Sequence, residues 1–182
     1  MVKFRYMKKN KPKIYSGSLA DRIIEGASFF WEQYRVKTPR GFGWIDIDSN
    51  EWLKRNENIK RWKMIRELKR LQARKLAKVR AEGDKVMFTL TQDGQVLMLA
   101  RALKDKNGSL PKGKQCFIIF DVPESVRYVR REIRYILKDI ECEKIQRSVW
   151  VTDRDVVDEL VRLIKISELE KWVQVIVGQT RI

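Results

Sequence analysis

An acid at the end of an apolar run and two clusters of basic residues are the parts of this sequence that carry chemistry. The acid is Asp121 in FIIFDVPES (117–125), where Phe117, Ile118, Ile119, Phe120 and Val122 surround one carboxylate. A carboxylate at the end of a buried strand either ligates a hard cation or, together with Ser125, accepts from orphan N–H groups at the start of the next helix. Glu124 is the only other acid close by. One carboxylate is thin for Mg²⁺, which takes octahedral oxygen ligands and must also position water. Histidine is absent, which removes the usual general base, the Ser-His and Cys-His nucleophile pairs and zinc sites of the Cys/His type. Asp121 is therefore the one catalytic and metal-binding candidate. Mg²⁺ is the only cofactor to consider, against the simpler expectation of none.

The first basic cluster runs from Lys54 to Arg80, with 12 Lys/Arg and only two acids, Glu57 and Glu67. Like charges four apart on a helix repel by a few tenths of a kcal/mol per pair, a cost that an anionic partner relieves. Lys60, Lys63, Arg66, Lys69, Arg70 and Arg74 are placed to meet the major groove of duplex DNA. Lys78, Arg80 and Lys85 on the following strands are placed to meet the flanking backbone. The second cluster is Arg127, Arg130, Arg131, Arg134 and Lys138, three or four apart on one helix face after Asp121, a further candidate nucleic-acid contact of which a dimer would line up two copies. Its competing role is pairing with Glu132 and Asp139. Few exposed aromatics support stacking on single-stranded RNA.

The charge is unevenly distributed. Residues 1–113 hold 27 Lys/Arg against 12 Asp/Glu, while residues 114–182 hold 13 against 12, within a formal net charge of +16. A basic first part and a near-neutral second part indicate a polyanion-binding domain followed by one with another task. The polar stretch KDKNGSLPKGK (104–114) marks the expected boundary, giving domains 1–110 and 114–182. No apolar run approaches the ~20 residues of a membrane span, and no hydrophobic signal core follows the basic N-terminus, so a cytoplasmic protein is expected. Cys116 and Cys142, far apart and outside any CxxC, read as buried free thiols.

These residues need particular elements to hold them. Ser18 caps an expected helix to about Tyr34, with Leu19, Ile23, Ile24, Ala27, Phe30 and Trp31 at helical spacing. Ser49 or Asn50 opens a short helix. Residues 57–74 form a helix with Trp62, Ile65, Leu68 and Leu71 on one face. Leu76–Arg80 and Lys85–Leu90 form a hairpin turned at Glu82-Gly83-Asp84, and Thr91 caps a helix carrying Val96, Leu97, Leu99, Ala100 and Leu103. Beyond the boundary come a strand over 115–122, a helix over about 125–140, an alternating run over 143–152, a helix marked by Val156, Leu160, Leu163 and Ile164, and a strand marked by Val173, Val175 and Val177. This β-α-β-α-β order suggests a small ferredoxin-like sandwich, which needs four strands, so the 143–152 run is expected to bend and serve as two. Trp150 and Trp172 read as core or interface residues. The SVWV strand reads as a dimer edge.

The segment LKRLQARKLAKV…FTLTQDGQ resembles winged-helix regulators, in which a helix end of the form L..L precedes a strand ending LT..G. The strand ending FDVPE, the arginine-rich helix RYVRREIRYIL and the strand IQRSVWV resemble the ferredoxin-like module of the CRISPR-associated subunit Cas2. They resemble more closely the variant of it in PaaX-type transcriptional repressors. The usual GF before the Q.SVW strand is ECEK here, and residues 1–56 match no pattern. The resemblance implies an α+β chain: an N-terminal winged helix-turn-helix domain, then a Cas2-like ferredoxin domain that dimerises. It implies a DNA-binding regulator acting as a homodimer on duplex DNA, with a small-molecule effector that no residue names. The alternative it implies is a CRISPR-associated metal-dependent endonuclease or endoribonuclease using Asp121, or a scaffold for an integrase partner.

Overall fold

The structure is a computed structural model and describes residues 18–33 and 46–179. They fall into two compact units, one ending at Met98 and one beginning at Leu99. Both combine helices with an antiparallel sheet, so the chain is α+β.

The N-terminal unit runs α1 (Leu19–Gln33), β1 (Ile47–Asp48), α2 (Ser49–Lys54), α3 (Arg61–Ala73), β2 (Ala77–Glu82), β3 (Lys85–Leu90) and the start of α4 (Gln92–Asp105). Ser18 Oγ accepts from the Asp21 N–H and opens α1 as expected. Asp48, one residue before the expected opener, caps α2 by accepting from the Asn50 N–H at 2.8 Å. The strands pair in the order β1-β3-β2. β2 and β3 join through a two-residue turn in which Gly83 takes φ +56°, the left-handed region glycine enters without a Cβ penalty. Ile23, Ile24, Trp52, Met64, Leu68, Leu71 and Phe88 form the core. The side chains of Phe30 and Trp31 lie outside the described residues. On α3 the buried stripe is Met64, Leu68 and Leu71, while Trp62 is 55% exposed. This corrects the expected apolar face: Trp62 lies about 200° around the helix from Met64, at 100° per residue, so one stripe cannot hold both.

The LT..G pattern acquires a physical reason. Thr91 Oγ1 donates to Lys75 O at 2.6 Å and accepts from the Gly94 N–H at 3.2 Å, and the Thr91 N–H donates to Leu76 O at 3.0 Å. A Cβ on Gly94 would stand 2.1 Å from Leu76 O, so only glycine lets α4 start this close to the entry of β2.

The C-terminal unit runs from the end of α4 through β4 (Gln115–Phe120), a 3₁₀ turn (Glu124–Val126), α5 (Arg127–Asp139), β5 (Glu143–Gln146), β6 (Val149–Thr152), α6 (Val157–Ile166) and β7 (Val173–Gly178). The sheet order is β5-β6-β4-β7 with every neighbour antiparallel, the β-α-β-β-α-β ferredoxin-like arrangement. The 143–152 run does serve as two strands, bent at Arg147-Ser148. The core holds Cys116, Ile118 and Phe120 of β4, Val129, Ile133, Ile136 and Leu137 of α5, Trp150 of β6, and Leu160, Leu163 and Ile164 of α6. Trp172 is half-buried, with Lys171 Nζ 4.3 Å from its ring centre. β6 is an interior strand, which corrects its expected place at a dimer edge; the edges are β5 and β7.

The KDKNGSLPKGK segment belongs to this unit by its bonding. Leu110 N–H donates to Asp153 O at 2.7 Å, Asp155 N–H donates to Gly108 O at 2.8 Å, and Ser109 bridges Arg154. The ECEK departure is explained by the end of α5. Glu141 there takes φ +61°, while Cys142 N–H reaches back to Leu137 O and Glu141 N–H to Lys138 O. This is a left-handed helix stop that glycine usually fills, so a glutamate holds it under mild strain.

Candidate nucleic-acid interface

The basic residues singled out by the sequence have unequal fates. Lys60 at the N-cap of α3, and Lys63, Arg66 and Lys69 on the helix, are exposed, and no acid pairs with Lys63, Arg66 or Lys69 among the described residues. Arg70 donates to Glu67 at 3.0 Å. Arg74 is half-buried at the C-terminal cap of α3, where Nε and Nη2 lack hydrogen bonds among the described residues. Burial pulls its pKa down, against the opposing charge of Glu67. On the hairpin, Arg80 pairs with Asp46 at 2.8 Å and Glu82 at 2.9 Å, and Lys85 pairs with Asp48 at 3.5 Å. Lys78 is exposed on β2. The solvent-facing cations therefore concentrate on one helix face centred on Arg66. Arg61, the first residue of that helix, donates to Asp84 O in the hairpin turn and ties the start of α3 to the tip of the ribbon.

The second cluster separates into two roles. Arg127, Arg131 and Lys138 are exposed. Arg130 bonds Val122 O and pairs with Glu124 at 3.4 Å. Arg134 donates to Arg147 O from Nε at 3.2 Å and Nη2 at 3.0 Å, with its guanidinium 5.9 Å from the Phe120 ring centre. These two arginines satisfy backbone carbonyls at the exit of β4 and at the β5–β6 turn, instead of standing free for a ligand. Asp139 pairs with Lys104 at 3.3 Å.

Asp121 is exposed at the end of β4, where its N–H donates to Trp172 O at 2.9 Å. It does not cap the following helix, which corrects that expectation. Pro123 and Val126 hold the cap positions of the 3₁₀ turn and of α5, and neither makes a side-chain cap bond. Nor do the residues present fit a Mg²⁺ site within one chain. Glu124 is committed to Arg130, and no group of three acid, cysteine or histidine side chains converges among the described residues. Cys116 and Cys142 are free and buried as expected. Burial pushes the Cys116 thiol up to about 11. Burial and then the neighbouring Cys116 push Cys142 up to about 12.

The sequence reading missed Arg154. Its Nη1 donates to Ile140 O at 2.7 Å, and its Nη2 reaches Leu103 O at 2.9 Å, Lys104 O at 3.0 Å and Lys106 O. One guanidinium thus holds the carbonyl ends of α4 and α5. Beside it, Lys106 donates to both carboxylate oxygens of Glu159, at 3.1 and 2.9 Å. No periodic pattern marks Arg154, because it lies in a loop.

No helix among the described residues is long and apolar enough to cross a membrane. No curated protein matches the chain. Over residues 111–181, which contain the whole β-α-β-β-α-β unit, the sequence matches the family model described as the PaaX protein central Cas2-like domain.

Proposed function

We propose that this chain is a PaaX-type transcriptional regulator whose N-terminal unit binds duplex DNA and whose Cas2-like unit pairs two copies. The observation that carries the reading is the exposed cationic face of Lys63, Arg66 and Lys69 on α3, next to a hairpin tied to that helix by Arg61. The order α1-β1-α2-α3-β2-β3 with sheet order β1-β3-β2 supports a winged helix-turn-helix, with α3 as the groove helix and the β2–β3 ribbon as the wing. Lys60 and Lys78 extend the contact toward the backbone, whereas Arg80 and Lys85 chiefly hold the ribbon to Asp46 and Asp48. Arg127 and Arg131 add exposed charge on the second unit.

Dimerisation is assigned to β7 and the outer face of its sheet. Ile176, 46% exposed, stands beside the half-buried Phe117 on that face, and Val177 is exposed on the same edge strand. An uncovered apolar edge strand invites a partner strand. The near balance of 13 basic and 12 acidic residues over 114–182 lets a second copy approach without strong repulsion. Analytical ultracentrifugation is expected to show a dimer for the wild type and a monomer for Ile176→Glu; a wild-type monomer sinks this assignment.

Footprinting on bound genomic fragments, with and without Mg²⁺, tests the whole reading. The expected result is metal-independent protection of two half-sites about one helical turn apart. Mg²⁺-dependent cleavage that disappears in Asp121→Ala would replace the regulator with the nuclease alternative. Preference for single strands or RNA hairpins would replace it with an RNA-binding module.

A further inference from the structure

Trp62 is more exposed than any other large apolar side chain described, at 55%, and it sits in the helix of highest net positive charge among the described residues. It is the second residue of α3, beside Arg61, whose side chain holds the hairpin turn. The Arg66 guanidinium lies 5.0 Å from its ring centre and Lys63 Nζ lies 5.7 Å from it. Both cations interact favourably with the indole π-system, so the ring is steadied among charges while much of its apolar surface remains in water. A helix surface built only to attract phosphates gains nothing from an exposed indole, because phosphate contacts are electrostatic.

We propose that Trp62 is a specificity-determining residue that makes an apolar contact in the major groove with the thymine C5-methyl group. This inference rests on the duplex-binding reading of α3. The residues at the N-terminal end of a groove helix are those that meet base edges, and the thymine methyl is the apolar group a base pair offers there. Lys63 and Arg66 bring the ring to the groove by pairing with phosphates, and the ring reads the methyl.

The test uses the full chain and two duplexes of about 30 base pairs, one of alternating A and T and one in which deoxyuridine replaces every T. Both carry the same phosphates and differ in the methyl. Fluorescence anisotropy titrations at several salt concentrations are expected to show the wild type favouring the T duplex roughly fourfold, the worth of one buried methyl. Trp62→Ala is expected to bind both duplexes equally with an unchanged salt slope, and its thermal midpoint should match the wild type because the side chain is exposed. Persistence of the T preference in Trp62→Ala overturns the proposal. So does a wild type without preference whose salt slope still falls when Lys63, Arg66 and Lys69 become alanine, and in that case the groove-helix reading survives. If the wild type binds neither duplex, the DNA-binding reading fails and takes this proposal with it.

Discussion

Replacing Lys63, Arg66 and Lys69 together by alanine is expected to weaken duplex binding about 500-fold at 0.1 M salt. Each neutralised phosphate contributes about 0.9 to the slope of log K against log salt, so three lost contacts flatten the slope by about 2.7. Taking 1 M as the reference, that change is worth roughly 10^2.7 at 0.1 M. All three side chains are exposed and without an acid partner among the described residues, so their loss leaves the fold intact. Alanine in place of Arg80 and Lys85 is expected to behave differently. These residues already pair with Asp46, Glu82 and Asp48, so their removal frees acids near the ribbon and changes the slope little. Anisotropy titrations of one duplex from 0.05 to about 0.4 M salt distinguish the two sets. An unchanged slope in the triple variant would remove α3 from the interface.

Arg154→Ala is expected to cost the C-terminal unit about 3 kcal/mol. A charge-assisted hydrogen bond contributes about 1.5–3 kcal/mol, and four bonds that share one half-buried guanidinium and partly admit water do not add in full. The loss leaves Leu103, Lys104 and Lys106 carbonyls at the end of α4, and the Ile140 carbonyl at the end of α5, without their shared donor. It also removes a positive charge from two helix C-termini, where the helix dipole favours one. Arg154→Lys is expected to restore less than half of the loss, because a single ammonium cannot span carbonyls that a planar fork reaches from two sides. Urea unfolding followed by hydrogen exchange at β4 and β6 measures the effect. An unchanged opening free energy there would mean that water serves these carbonyls as well as arginine does.

Periodicity made the C-terminal architecture legible where an element buries one face, as β4, α5 and α6 do. Ile118 and Phe120 alternate inward on β4, and Val129, Ile133, Ile136 and Leu137 mark the buried side of α5. The turn at Gly83 and the start of α4 at Thr91 were legible from local chemistry. Strand order was not, since the interior position of β6 depends on which strands pair and not on its own residues. Nor was the true stripe of α3: hydrophobicity favoured Trp62, and only packing shows that Met64 is inside. The basic residues were legible as a set but not by role. Which arginine meets solvent and which meets a carbonyl is decided by residues far away in sequence, as Arg134 with Arg147 and Arg130 with Val122 show. Arg154 acts through backbone oxygens, which every sequence possesses.

The burial of the two thiols gives the protein an internal clock. Cys116 and Cys142 are the only cysteines in the chain, and both lie in the Cas2-like unit. At neutral pH neither forms the thiolate that attacks an alkylating reagent until that unit opens, so the labelling rate of the intact protein counts openings of this unit while the N-terminal unit, which has no cysteine, stays silent. The same feature fixes an alkaline limit. Thiols freed by unfolding ionise near their ordinary value of 9.0, whereas the folded ones hold their protons to about 11 and about 12. Unfolding therefore releases protons across that window, and the stability conferred by the protonated thiols, full below about pH 9, drains away as the pH climbs toward 12. Labelling rates measured at pH 7 and pH 10 should diverge by more than the reagent's own pH dependence.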